Sequence, residues 1–345
     1  MAESAPPQPV NPGTVLQTLL AFKRTSMLRT ALELKLYDAL ADGPRDAAHI
    51  AEFVGAPQRS VRVLLGAMTS AGLLEGDGEK YALPEGAGKF LVSTSPGYLG
   101  GAEKVASSYA EWDALRELTA VVRNGGTLLA DDANSPGFAY WKDFAANGTF
   151  ATRPGAALVA DTLRPFATDR EPLRLLDVGC GHALFALTFA KAYPRAQVFG
   201  IDWPEVLDHA RHNATAMGLT DRSEFLAGDV FTAPLGGPYD VVVVANFLPQ
   251  FSAAQGVELL RRLRGVLAPD GRVVLAGFTV GDQPPASEFG AWMLNLLMLA
   301  WTGGGEIQDL ATYQRMLGEA GFTGTEVHKV ANLPVRVLVA RPVPD

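Results

Sequence analysis

Leu16, Leu19, Leu20, Leu32, Leu36 and Leu40 recur at helical spacing and predict a helix over 14–41, ended by Gly43-Pro44. A short helix over 47–54 and a longer one over 57–71 are expected next. Gly72-Leu73-Leu74 then leads through Gly76-Asp77-Gly78 to Tyr81-Ala82-Leu83. Two short apolar stretches about an Asp-Gly turn predict a hairpin. Helices followed by a hairpin make a winged-helix pattern over 1–100. The pattern is less regular over 101–170. There 103–122 reads as helix, 125–137 as loop, and 138–150 as a further helix carrying Tyr140, Trp141 and Phe144.

From 171 onward, apolar runs and amphipathic runs alternate. Strands are predicted over 173–177, 197–202, 223–227, 239–246 and 271–276, with helices over 184–193 and after Pro204. The 239–246 run is nearly all valine, as expected of a strand buried on both faces. Regular β/α alternation predicts an α/β fold with a doubly wound parallel sheet. The expected organisation is thus 1–100, 101–170 and 171–345.

The chain has 345 residues, enough for two domains. Its net charge of −8 argues against a nucleic-acid partner, which would need clustered Lys and Arg. The winged-helix pattern invites a DNA-binding reading. Yet the 57–71 helix offers only Gln58, Arg59 and Arg62 for base contacts, and residues 1–100 hold ten acids against nine Lys and Arg. Cys180 is the one cysteine, so no intrachain disulfide framework exists. No stretch of 18 uncharged apolar residues suggests a membrane span, and no basic segment with an apolar core opens the chain. Cytoplasmic residence is expected, with no membrane partner and no metal. Residues 1–12 hold four prolines and read as a disordered lead.

The chemistry concentrates where the first predicted strand of the alternating region ends, in Asp177-Val178-Gly179-Cys180-Gly181-His182. Strand, glycine turn and helix let the backbone approach a ligand closely. Leu184 stands where the dinucleotide fingerprint needs Gly or Ala, and no P-loop is present, so neither nicotinamide chemistry nor phosphate gripping is favoured. Asp202 follows Asp177 by 25 residues at the end of the second strand, where a carboxylate can hold ribose hydroxyls.

D-x-G-x-G resembles motif I of class I S-adenosylmethionine (SAM) methyltransferases. The ordered set LLDVGCGHA, FGIDWPEVLDHA, GDVF, VVVVANFLPQF and LRRLRGVLAPDGRVVL resembles the bacterial and plant small-molecule O-methyltransferases, from about Thr14 to Arg341. The resemblance implies a SAM-type Rossmann domain behind an N-terminal winged-helix dimerisation domain, hence a homodimer. It also implies a small aromatic or polyketide-like acceptor from secondary metabolism. By the same resemblance Asp177, Gly179 and Gly181 shape the methionine end of SAM, Asp202 with Trp203 the ribose, and Asp229, Val230 and Phe231 the adenine. Asn246 joins the cofactor site, and Trp141, Phe144, Phe247, Gln250, Trp292, Asn295 and Met298 form the acceptor pocket.

One departure bears on mechanism. Where the family carries a catalytic histidine beyond the fourth strand, this chain reads Asn246-Phe247-Leu248-Pro249-Gln250-Phe251. Pro249 has no titratable group, and glutamine takes no proton near neutral pH. Asn295 and the 303–308 stretch also depart from the family. His182, in the glycine turn, is either a contact to the SAM carboxylate, a solvated turn residue, a relocated base or a substrate-orienting group. Glu306 is a base only if buried, because burial raises a carboxylate's pKa. Two activities stay open: methyl transfer without the family's histidine, or non-methylating chemistry such as hydroxylation, decarboxylation or cyclisation on the same fold. An inactive ligand-binding homologue is the third possibility.

Overall fold

The computed structural model describes residues 10–329 and 335–344, so most of the proline-rich lead lies outside the described residues. The chain forms two compact units that divide between Ser108 and Tyr109. Of the 101–170 stretch that the sequence sets apart, residues 109–170 belong to the second unit.

In the first unit, helix α1 spans Pro12–Glu33. The Asn11 side chain accepts the Thr14 amide and Pro12 occupies the first turn, where its missing N–H costs nothing. The helix stops short of the predicted 41. Lys35 adopts φ +53, and the chain resumes as a 3-10 helix, Leu36–Leu40. Leu36 and Leu40 are buried as the spacing implied, but by a different backbone. Helices α2 (Ala47–Val54) and α3 (Gln58–Ser70) follow, and strands Arg45–Asp46, Glu75–Gly76 and Lys80–Ala82 form a small sheet. Leu36, Tyr37, Ile50, Leu65 and Met68 fill the core. The outer face of α1 leaves Leu16, Leu19, Leu20 and Phe22 exposed.

The helix predicted over 103–122 is in pieces. Glu103–Ala106 ends the first unit, and α4 (Tyr109–Arg116) and α5 (Leu118–Asn124) open the second. Helices α6 (Tyr140–Asn147) and α7 (Thr149–Thr162) meet at Gly148, where a Cβ would come within 2.7 Å of the Phe144 carbonyl. The alternating region then gives β1 (Leu173–Val178), α8 (Leu184–Ala192), β2 (Ala196–Asp202), α9 (Pro204–Ala216), β3 (Ser223–Ala227), β4 (Tyr239–Ala245), α10 (Ala253–Arg264) and β5 (Leu267–Phe278). It closes with α11 (Phe289–Trp301), α12 (Leu310–Glu319), β6 (Phe322–Lys329) and β7 (Val335–Pro342).

The sheet order is β3-β2-β1-β4-β5-β7-β6. Strands β1 to β5 pair in parallel, but β7 runs antiparallel to both β5 and β6. The sheet is therefore mixed, a correction to the all-parallel expectation. Only residues 330–334 separate β6 from β7, too few for the crossover a parallel pair requires. The valines of β4 explain their own pattern: Val241 and Val243 face the core under α7 and α8, while Val242 and Val244 face the core under α10 and α12. The strand order reverses between β1 and β4, and α/β sheets hold ligands at such a crevice, beyond the strand ends.

Candidate functional site

The turn after β1 is held in shape by its neighbours. Gly179 takes φ +62, and a Cβ there would lie 2.3 Å from the Phe247 ring. Only glycine meets both demands. The Gly181 amide donates to Asp202 Oδ2 at 2.8 Å and the Trp203 amide to Asp202 Oδ1 at 2.7 Å. Asp202 thus ties the glycine turn to the end of β2. Asp177 is almost wholly buried and accepts the Ala186 amide at 3.2 Å. Burial pushes its carboxyl up to about 8, and burial also pushes Asp202 up to about 6. Among the described residues no ion pair engages either.

Two cavities open from this turn. The first, about 810 Å³, is bordered by Asp202, Trp203, Asp229, Val230, Phe231 and Phe251. Phe231 meets Phe251 edge-on at 5.2 Å, while the Asp229 carboxylate accepts the Phe231 amide at 2.9 Å. The second, about 1450 Å³, runs from Asp177, Gly179 and Asp202 into a chamber walled by Trp141, Phe144 and Trp301. The Tyr140 and Trp301 rings lie 4.5 Å apart. Trp141 donates from Nε1 to the Ala133 carbonyl at 2.7 Å, and the Ala133 amide donates to the Trp301 carbonyl at 2.8 Å. These bonds hold the 125–137 loop against the aromatic wall.

Residues 157–323 match the O-methyltransferase domain family, and residues 16–93 match the O-methyltransferase dimerisation domain. Mouse acetylserotonin O-methyltransferase is 32% identical over 331 residues, covering 88% of this chain and 81% of that protein. The chain belongs to the O-methyltransferase family. The tetracenomycin polyketide synthesis 8-O-methyl transferase TcmO of Streptomyces glaucescens is 28% identical, covering 93% of this chain and 94% of its own. A solved structure of a candidate O-methyltransferase from Nostoc punctiforme superposes with TM-score 0.88 at 29% identity, over 96% of this chain and all of that one. The structure of PigF with SAH gives TM-score 0.83 at 25% identity, over 96% of this chain and 100% of that one.

In this member of the family the residues singled out from sequence divide into three groups. Trp141, Phe144, Phe247, Gln250 and Met298 border the larger cavity, as do Asp177, Gly179, Gly181, His182, Trp203, Asn246 and Pro249. Asp229, Val230 and Phe231 border the smaller one. Three others are not brought there. Glu306 is exposed and borders neither cavity. Trp292 is 42% exposed on the outer side of α11. Asn295 is buried, but its Oδ1 accepts the Ile307 amide at 2.9 Å, so it pins the loop after α11. The face of α11 turned to the cavity is instead Leu294, Met298 and Trp301.

His182 is inside the cavity wall, but as a neutral ring. Its Nδ1 accepts the Leu184 amide at 3.2 Å, which leaves Nε2 as the protonated nitrogen facing Thr152 Oγ1 at 3.0 Å. Burial, with repulsion from Arg153, lowers its pKa to about 4. With its lone pair committed to a backbone amide, the ring has no free nitrogen to take a proton.

The sequence reading left Thr152, Leu294 and Trp301 out of the site. It missed Tyr140 as a site residue too, although it noted the aromatic. The available signal was helix phase, and apart from Asn295 α11 is apolar on every side. Tyr140 borders the larger cavity and donates from Oη to Glu111 Oε1 at 3.1 Å. Burial pushes Glu111 up to about 7, partly offset by that hydrogen bond. Among the described residues no cluster of His, Cys, Asp and Glu could hold a metal ion, and no helix is long and apolar enough to cross a membrane.

Proposed function

We propose that this chain is a SAM-dependent O-methyltransferase that acts on a flat aromatic or polyketide-like natural product and works as a homodimer. One observation carries the reading: the glycine turn with buried Asp177 and half-buried Asp202, and the aromatic wall of Trp141, Phe144 and Trp301, border the same cavity. A cationic ligand end and a flat apolar one would meet there.

The residues fit SAM. Asp177 is a buried carboxyl that a cationic methionine end would satisfy, and Gly179 and Gly181 leave room for it. Asp202 would hold the ribose, and Phe231 with Asp229 the adenine, a reading supported by their bordering one cavity. Bound there, SAM supplies a methyl group on a sulfonium. The chain's work is then to align the acceptor oxygen and exclude water, which Trp141, Phe144, Met298 and Trp301 suit by shape and apolarity. TcmO, a relative over nearly the whole chain, is named for polyketide 8-O-methylation. Apolar side chains exposed on α1, within the stretch matching the dimerisation domain, support the homodimer.

A second reading, SAM-assisted chemistry without methyl transfer, is favoured by Pro249 and Gln250, which border the cavity and carry no proton acceptor of useful basicity. The deciding experiment is incubation with methyl-labelled SAM and a panel of hydroxynaphthoates and hydroxyanthraquinones, followed by mass spectrometry. Label in an O-methyl product is expected. SAM binding with a changed but unlabelled product would decide for the second reading.

A further inference from the structure

We propose that Tyr140 and Glu111 form the proton path of the methyl transfer, the acceptor's hydroxyl proton passing to the Tyr140 oxygen while Tyr140 passes its own proton to Glu111. This rests on the methyl-transfer reading above.

The other candidates are spent. Pro249 has no titratable group, His182 has committed its lone pair, and Glu306 is exposed away from the cavity. Asp177 and Asp202 hold backbone amides at the glycine turn. Tyr140, by contrast, sits in the aromatic wall, with Trp141 at 5.3 Å and Trp301 at 4.5 Å between ring centres. Its O–H already points at Glu111, so its oxygen keeps lone pairs for an incoming O–H. Glu111 is on α4, which packs against α11, a helix without one ionisable side chain. That apolar contact keeps Glu111 near neutrality in pKa, so both of its protonation states are accessible. Tyr140 itself is driven far above its ordinary pKa, by burial first and then by Glu111 and Asp143. It therefore conducts a proton and does not store one. Among the described residues, α4 also carries Asp113 and Arg116, which pair with each other at the surface, Arg116 pairs with Glu117 as well, and α5 carries exposed Arg123.

The step balances. The acceptor O–H bond breaks and its O–CH₃ bond forms as the S–CH₃ bond is cleaved. The Tyr140 oxygen exchanges one proton for another, and Glu111 ends neutral as the positive charge on sulfur disappears. The proton then leaves Glu111 for solvent.

The test uses the full-length protein, labelled SAM, and the phenol of the panel that wild type turns over fastest. A positioned base contributes about 10² to 10⁴-fold. Glu111→Gln and Tyr140→Phe should each lower kcat by about that factor, with KM and calorimetric SAM affinity close to wild type. Wild-type kcat should rise with pH and level off above about 7, and this limb should vanish in Glu111→Gln. The double variant should be no slower than either single one, because both break one path. Near-ultraviolet circular dichroism checks that the aromatic wall persists. Unchanged kcat in either variant, or a slower Glu111→Gln that keeps the pH limb, overturns the relay and leaves methyl transfer standing. Failure of wild type to methylate any phenol while binding SAM overturns both.

Discussion

The imidazole of His182 donates from Nε2 to the hydroxyl of Thr152 at 3.0 Å, because its other nitrogen is held by the Leu184 amide at 3.2 Å. The Thr152 oxygen accepts, so its own proton is available to the cavity that Thr152 borders. The most conspicuous histidine of the sequence is therefore a fixed donor that orients a hydroxyl.

His182 should stay neutral down to about pH 4, in the Nε2–H tautomer, which long-range nitrogen–proton NMR can read directly. Its folded pKa lies below the ordinary 6.5, so the unfolded chain binds more protons between these values. Stability should therefore fall as pH drops from about 6.5 to about 4, and His182→Gln should flatten that slope. A ring that titrates near 6.5 in the folded protein would contradict the tautomer assignment.

SAM binding should release protons. Burial favours the neutral forms of Asp177 and Asp202, whose pKa values rise to about 8 and about 6. A bound cation favours the carboxylates, so affinity should climb from pH 6 to 8 and level above. Calorimetry in buffers of different ionisation heat measures the release, and a buffer-independent heat would rule it out. Asp202→Asn should weaken binding by roughly 1.5–3 kcal/mol for each charge-assisted bond lost.

Gly179→Ala should abolish SAM binding, because its Cβ would lie 2.3 Å from Phe247 on a backbone at φ +62. Adding Phe247→Ala should recover part of the lost thermal stability, leaving only the backbone strain. Gly181→Ala meets open space and should cost only the left-handed backbone, roughly 1–2 kcal/mol. Scanning calorimetry of the three variants gives the ranking; equal losses in Gly179→Ala and Gly181→Ala would refute the close-approach argument.

Charges on α1 should separate the dimer. Leu16, Leu19 and Leu20 are 58%, 65% and 48% exposed within one chain. The Leu16→Glu, Leu20→Glu double variant should sediment as a monomer at micromolar concentration, where wild type sediments as a dimer. A dimer that survives both charges would place the interface elsewhere.

Much of the fold was legible because the local signals were unambiguous. The apolar run 173–178, Pro204 and the valines of β4 each behave as their sequence requires. Asp177, Gly179 and Asp202 could be grouped from sequence because they stand at the ends of two neighbouring apolar strands, and all three border the larger cavity. What escaped depended on tertiary context. The left-handed Lys35 interrupts a leucine pattern that continues unbroken in sequence. The reversal of β7 has no local signature. The phase of α11 is hidden because its residues are nearly all apolar, so Trp292 and Trp301 looked equivalent until packing separated them. Glu111 was invisible because its importance comes from a tyrosine 29 positions away.

Trp141, Trp203 and Trp301 border the larger cavity, out of five tryptophans in the chain. Their indole emission therefore originates mostly where a ligand would sit. A flat, near-ultraviolet-absorbing acceptor entering the cavity would lie beside these emitters and quench them. Acceptors can accordingly be ranked by titration of unmodified protein, with no turnover and no label.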